Sequence, residues 1–206
     1  MLLALLSACG AGPPAPTDAR TYASVLADPA LADPSVCTAL SDPALAGDCG
    51  VVVAERRIAA GVSPRSVCAP VGEGVWGDEC RFRAAEASMA AGDPDGAAAL
   101  CLGIRTFRDA CAQHLWDPAL AGTWRDGDPV AALERARVLH AEWSVRLGGK
   151  TDLDDRLWRH WFRIGFQGGV PLPPDAEGFC AEAPPDLRRS CLKATRRALA
   201  EAGAVR

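Results

Sequence analysis

A chain of 206 residues with 49% hydrophobic and 23% charged residues has the composition of a folded protein, which excludes wholesale disorder. A net charge of −4 gives no global attraction to nucleic acid or to anionic membrane, and no nucleic-acid partner is expected. Alanine, leucine and arginine are abundant and tyrosine occurs once, a balance that favours helix over sheet.

The first residues are apolar from Met1 to Leu6 and continue Ser7, Ala8, Cys9, Gly10. Leu6-Ser7-Ala8-Cys9 resembles the lipobox of bacterial lipoproteins, in which the cysteine becomes the lipidated first residue. The resemblance implies a signal segment over 1–9, a lipid on Cys9, and a protein held in the cell envelope, on the periplasmic side of the outer membrane. The apolar run is short and no Lys or Arg precedes it; a buried N-terminal helix is the alternative. Residues 10–20 are rich in glycine and proline and read as a flexible tether. Residues 21–206 are expected to form a single helical domain. No later segment reaches the roughly 18 apolar residues that span a bilayer.

Eight further cysteines follow: Cys37, Cys49, Cys68, Cys80, Cys101, Cys111, Cys180 and Cys191. An even count after an export signal reads as disulfides. The absence of Cys-x-x-Cys argues against a zinc ribbon, a thioredoxin-type site and a c-type haem, so no cofactor or metal is expected. Metal binding in the cytosol is the rival reading, with spacings longer than the usual two-ligand knuckle.

The cysteines also mark a period. Cys37 to Cys68, Cys49 to Cys80 and Cys80 to Cys111 are each 31 positions, and Cys68 to Cys101 is 33. Ser35-Val36-Cys37 matches Ser66-Val67-Cys68, and Asp48, Asp78 and Asp109 lie just before the second cysteine of each set. Those acids suit helix N-termini, where they oppose the macrodipole. Val51, Ala54 and Ile58 have helical spacing, repeated by Phe82, Ala85 and Met89 and more weakly by Gln113, Trp116 and Leu120. Gly61 and Gly92 end these stretches, and Ser63-Pro64 and Asp93-Pro94 start the next helices. Each unit is thus a helix, a tight turn, a shorter helix and a loop.

A 31–33-residue period of helix pairs resembles the tetratricopeptide class of solenoids. In layout it is similar to secreted, cysteine-rich Sel-like repeat proteins, over about residues 35–147, although their glycine and tyrosine motifs are missing here. In that family a disulfide joins the second helix of one repeat to the first helix of the next. The resemblance therefore implies Cys37–Cys49, Cys68–Cys80 and Cys101–Cys111, and the same local rule gives Cys180–Cys191. The competing scheme, Cys49–Cys68 with Cys80–Cys101, staples each hairpin instead and strands Cys37. The fold class expected is all-α: disulfide-stapled helical hairpins in a short α-solenoid, followed by C-terminal helices over 148–206.

In that C-terminal part, Asp128-Pro129 starts a helix running to about Leu147, with Ala132, Ala136, Leu139, Trp143 and Leu147 on one face. Thr151 caps the next, with Asp152, Asp154 and Asp155 in its first turn and Leu153, Leu157, Trp161 and Ile164 as its apolar stripe. Gly165 and Gly168-Gly169 should break it. A last helix over about 186–202 carries Arg188, Arg189, Lys193, Arg196 and Arg197. These are a solvated face or a contact for lipid headgroups or an acidic partner.

Candidate chemistry is sparse. His114, His140 and His160 have no zincin spacing, and no serine sits in a Gly-x-Ser-x-Gly elbow. Asp152, Asp154 and Asp155 lack the twelve-residue calcium loop. Trp158, Trp161, Phe162 and Phe166 form the densest aromatic cluster, either core or a partly exposed partner-binding groove, since Trp158 and Phe162 flank the Trp161 stripe. The expected function is a membrane-tethered, non-catalytic protein-binding or structural module. The alternative is an exported hydrolase or metal-dependent enzyme whose residues converge from distant segments.

Overall fold

A computed structural model describes residues 16–27, 33–167, 175–183, 185 and 187–203. Cys9 and the lipobox lie outside them, as do Gly168 and Gly169. The described residues form eleven α-helices and no strand: α1 Pro16–Ala27, α2 Pro34–Thr38, α3 Pro43–Ala59, α4 Pro64–Val67, α5 Val75–Ala90, α6 Pro94–Leu102, α7 Arg108–Thr123, α8 Pro129–Arg146, α9 Thr151–Gln167, α10 Ala176–Ala181 and α11 Arg188–Gly203. The protein is all-α. Among these residues no helix is long and apolar enough to cross a membrane. Because α1 starts at Pro16, residues 16–20 are helical and not part of a tether.

An Asp-Pro pair starts four of the helices. The carboxylate of Asp33 accepts from Ser35 N, that of Asp42 from Ala44 N and Leu45 N, that of Asp93 from Gly96 N and that of Asp128 from Val130 N and Ala131 N. The following proline occupies the first turn, where its missing N–H costs nothing and its φ is already helical. Each such cap contributes about 1 kcal/mol. Ser63, expected to cap α4, makes no side-chain cap bond. Gly61 and Gly92 follow α3 and α5 with φ of +90° and +78°, the left-handed conformation that ends a helix and that a side chain would strain.

The four disulfides are Cys37–Cys49, Cys68–Cys80, Cys101–Cys111 and Cys180–Cys191. Each ties a short helix, or the residue just after it, to the long helix that follows: α2 to α3, α4 to α5, α6 to α7 and α10 to α11. The short helices vary from 4 to 9 residues and the long ones only from 16 to 17, so the period is carried by the long helices. The second cysteine lies inside the long helix. Asp78 and Asp109 fall in first turns as expected. Asp48 does not, because the cap at Asp42 begins α3 earlier.

The chain divides into two compact units, Met1–Ser88 and Met89–Arg206. The first is built on α3. Val25, Cys37, Leu40, Cys49 and Val53 form its core, with Tyr22, Val36, Leu45 and Ala46 packed against it. Asp18 fastens α1: its Oδ2 accepts from Ser41 N at 3.0 Å, Ser41 Oγ at 2.5 Å and Asp42 N at 3.0 Å. The Ser41 hydroxyl, helped by the two backbone N–H groups, holds this carboxyl below its ordinary range. In the second unit, α9 packs against α7, α8 and α11.

Asp48 has a different task from capping: its carboxylate accepts the hydroxyl proton of Tyr22. Burial, together with this bond and the negative charge, pushes the Tyr22 phenol up to about 12. A phenol that holds its proton more tightly when folded stabilises the fold fully below its unfolded value of about 10, and that contribution is lost as pH rises to about 12. Since tyrosine occurs once, the phenolate absorbance of the native protein should rise near 12 and that of the unfolded chain near 10. Tyr22→Phe should lower stability by about 1 kcal/mol. A native transition near 10 would place this hydroxyl in water.

Candidate functional site

Helix α9 organises the second unit. Its expected stripe is in place: Leu153, Leu157 and Trp161 are buried. The flanking aromatics are buried as well, so that of the two readings, core or partly exposed groove, these rings are core. Trp158 is 1% exposed, Phe162 0% and Phe166 5%. The reason is the number of neighbours, since three helices cover α9 where a surface helix meets core on one face only. Trp158 sits among the rings of His140, Trp143, Trp161 and Phe162 at centroid distances of 5.5, 5.6, 5.6 and 6.3 Å.

The indoles are pinned by their N–H groups. Trp161 Nε1 donates to Thr123 Oγ1 at 2.7 Å, Trp124 Nε1 to Trp161 O at 3.2 Å and Trp143 Nε1 to Asp154 Oδ1 at 2.5 Å. Trp158 Nε1 alone among them is buried with no hydrogen-bond partner. Gly165, expected to break the helix, lies inside α9. Trp124 stacks on Trp161 with centroids 4.4 Å apart, and a Cβ at Gly165 would come within 2.2 Å of the Trp124 ring. The glycine is there for that close approach.

The histidines act as struts. His160 Nε2 lies 2.5 Å from Asp117 Oδ1, while its Nδ1 receives Arg163 at 2.7 Å and Gln113 at 3.2 Å. Two donors at Nδ1 assign the ring proton to Nε2, which donates to Asp117. This ties α9 to α7. His140 Nε2 lies 3.0 Å from Asp154, tying α8 to α9. Neither imidazole faces a hydroxyl or thiol nucleophile among its bonded partners, and the eight cysteines are all in disulfides. Asp152 pairs with Arg108 at 2.6 Å, Asp154 with His140 and Trp143, and Asp155 with Arg159 at 2.8 Å. Three acids turned to separate sets of partners do not converge on a cation. Among the described residues no group of three or more His, Cys, Asp or Glu is placed to hold a metal.

What α9 does present outward is a groove shared with α11. Its volume is about 290 Å³, and Arg159, Phe162, Arg163 and Phe166 of α9 face Ser190, Lys193, Ala194 and Arg197 of α11 across it. Both sets follow the i, i+3, i+4, i+7 spacing of one helix face. Phe162 and Phe166 lie parallel, 6.3 Å apart, and form the floor. The four cationic side chains are exposed and form the rim. The arrangement can hold an anionic group between two rows of cations. Sequence reading singled out the two phenylalanines, Lys193 and Arg197, but not Arg159 and Arg163. Their spacing of four residues was the signal that they share a face. Comparison of the chain with protein-family models, with curated proteins and with solved structures finds no match.

Trp158→Ala should cost about 3–5 kcal/mol in a denaturant melt, the range for a buried tryptophan. Gly165→Ala should also destabilise, by about 1–3 kcal/mol, through displacement of Trp124. Near-neutral melts for both would overturn the packed arrangement.

Proposed function

We propose that this chain is an exported, membrane-tethered lipoprotein whose helical part is a non-catalytic binding or structural module. The observation that carries this reading is the pairing of all eight cysteines after Cys9 in local disulfides. Such a set forms and persists in an oxidising compartment and is rare in a reducing cytosol. Leu6-Ser7-Ala8-Cys9 supports lipid attachment at Cys9 and, with it, a place at a membrane of the cell envelope. The non-catalytic part of the reading rests on His140 of α8 and on His160 and the carboxylates of α9, which bond to helix-positioning partners instead of to a nucleophile. A partner is then met by surface charge, and the α9–α11 groove is where two rows of cations face each other.

Protein recovered from envelope membranes should carry no free thiol and should have an intact mass that includes acyl chains on Cys9. Cys9→Ala should remove that added mass and release the protein to the soluble fraction. A thiol-reactive reagent that labels the eight later cysteines in cells, or an unmodified Cys9, would overturn the reading. Reduction should also be costly. Each loop of about a dozen residues contributes about 2.5–3 kcal/mol, so excess reductant should lower the denaturation midpoint well beyond the effect of any single surface change.

A further inference from the structure

We propose that the groove between α9 and α11 binds the phosphodiester headgroup of an anionic phospholipid. This rests on reading the chain as membrane-tethered, and it assigns a ligand to the surface that reading leaves open.

The chemistry of the rim points to an oxyanion. Arg159 and Arg163 on one helix, and Lys193 and Arg197 on the other, each stand four residues apart, about 6 Å along the axis. Three of the four are arginines, whose planar fork matches phosphate oxygens, and the fourth adds a compact charge. Asp155 pairs with Arg159 at 2.8 Å and Arg163 donates to His160 at 2.7 Å, so both guanidiniums are positioned by their own helix. The aliphatic stems of these side chains leave an apolar lining below the charges, as suits a group with an anionic end and a hydrocarbon end.

The size and shape favour a headgroup over a peptide. A cavity of about 290 Å³ is at the small end for ligand sites. Recognition by strand addition needs a sheet edge, and the described residues contain no strand. A docking helix needs exposed apolar anchors, whereas Phe162 and Phe166 are 0% and 5% exposed beneath a charged rim. An anchored protein meets lipid headgroups at high effective concentration, so a small site with modest intrinsic affinity suffices.

The test uses the full chain carrying Cys9→Ala, so that no attached lipid drives binding. Co-sedimentation is measured with vesicles of phosphatidylcholine alone and with vesicles that also contain phosphatidylglycerol. Binding should require phosphatidylglycerol and fall with added salt. The double variant Lys193→Glu with Arg197→Glu should weaken it about tenfold or more. Both positions are exposed, so the fold is kept, which a melt verifies. The charge-matched variant Arg56→Glu with Arg65→Glu, also at exposed positions, should bind nearly as well as the parent. Glycerol 3-phosphate in solution should compete only weakly if the bilayer-held headgroup is the ligand. Four results would overturn the proposal: no dependence on phosphatidylglycerol, equal losses in both double variants, full competition by soluble glycerol phosphate, or preferential capture of a poly-glutamate peptide. The mass of Cys9 in cells is read independently. Failure at the vesicles therefore leaves the lipoprotein reading standing, and failure of lipidation leaves the headgroup site to be judged on the vesicle data alone.

Discussion

A helix of four to six residues has no stability of its own in water, yet α2, α4 and α10 have 5, 4 and 6 residues. What holds them is a disulfide to the long helix that follows, with Cα atoms 5.5–5.6 Å apart in every case. The constraint acts on both sides of the folding equilibrium. It narrows the unfolded ensemble, and in the native state it places a buried sulfur pair where the short helix meets the long one. The half-cystines are themselves core, none more than 7% exposed. Because the chain's own helix-forming tendency cannot replace these staples, its folding is coupled to the redox state of its surroundings.

That skeleton was legible in the sequence, because a disulfide of this kind is local. A spacing of 10–12 positions between a short and a long helical segment leaves the partner in reach without knowledge of tertiary structure. The helix starts were legible wherever a proline follows an acid. Asp33-Pro34 and Asp42-Pro43 carried the same signal as Asp93-Pro94 but were passed over in favour of acids next to cysteines. Asp48 was misread for that reason: proximity to a cysteine does not define a helix start, whereas a proline that can sit only in the first turn does.

What the sequence could not convey is how many helices cover one helix. A helical wheel sorts the residues of α9 into a stripe and its flanks, and Trp158 and Phe162 fall on the flanks. Whether a flank is wet or dry depends on α7, α8 and α11, which arrive from up to several dozen residues away. Gly165 failed in the same way. Read locally, glycine ends a helix; in the fold it admits the Trp124 ring. The groove likewise joins positions about 30 residues apart, so only half of its residues could be named beforehand, from helix α11 and the aromatic cluster.

A chain of net charge −4 shows a cationic groove because its acids and bases are put to different uses along the helices. Aspartates are taken up at helix starts: Asp33, Asp42, Asp93, Asp128 and Asp175 each accept backbone N–H groups as caps. The three acids in the first four to five residues of α9 are bound to Arg108, His140, Trp143 and Arg159. Beyond Asp155, α9 contains no further acid, and α11 contains none between Arg188 and Ala200. In α9 the acids stand in the first turn and the bases follow, the order that the helix macrodipole favours, whereas α11 opens on Arg188 and Arg189 and carries its one acid, Glu201, near its end. Where the two lie side by side, Arg159 and Arg163 face Lys193 and Arg197. The local field at the groove is therefore positive although the chain as a whole is acidic, and net charge alone would have excluded the kind of ligand that the groove is shaped to meet.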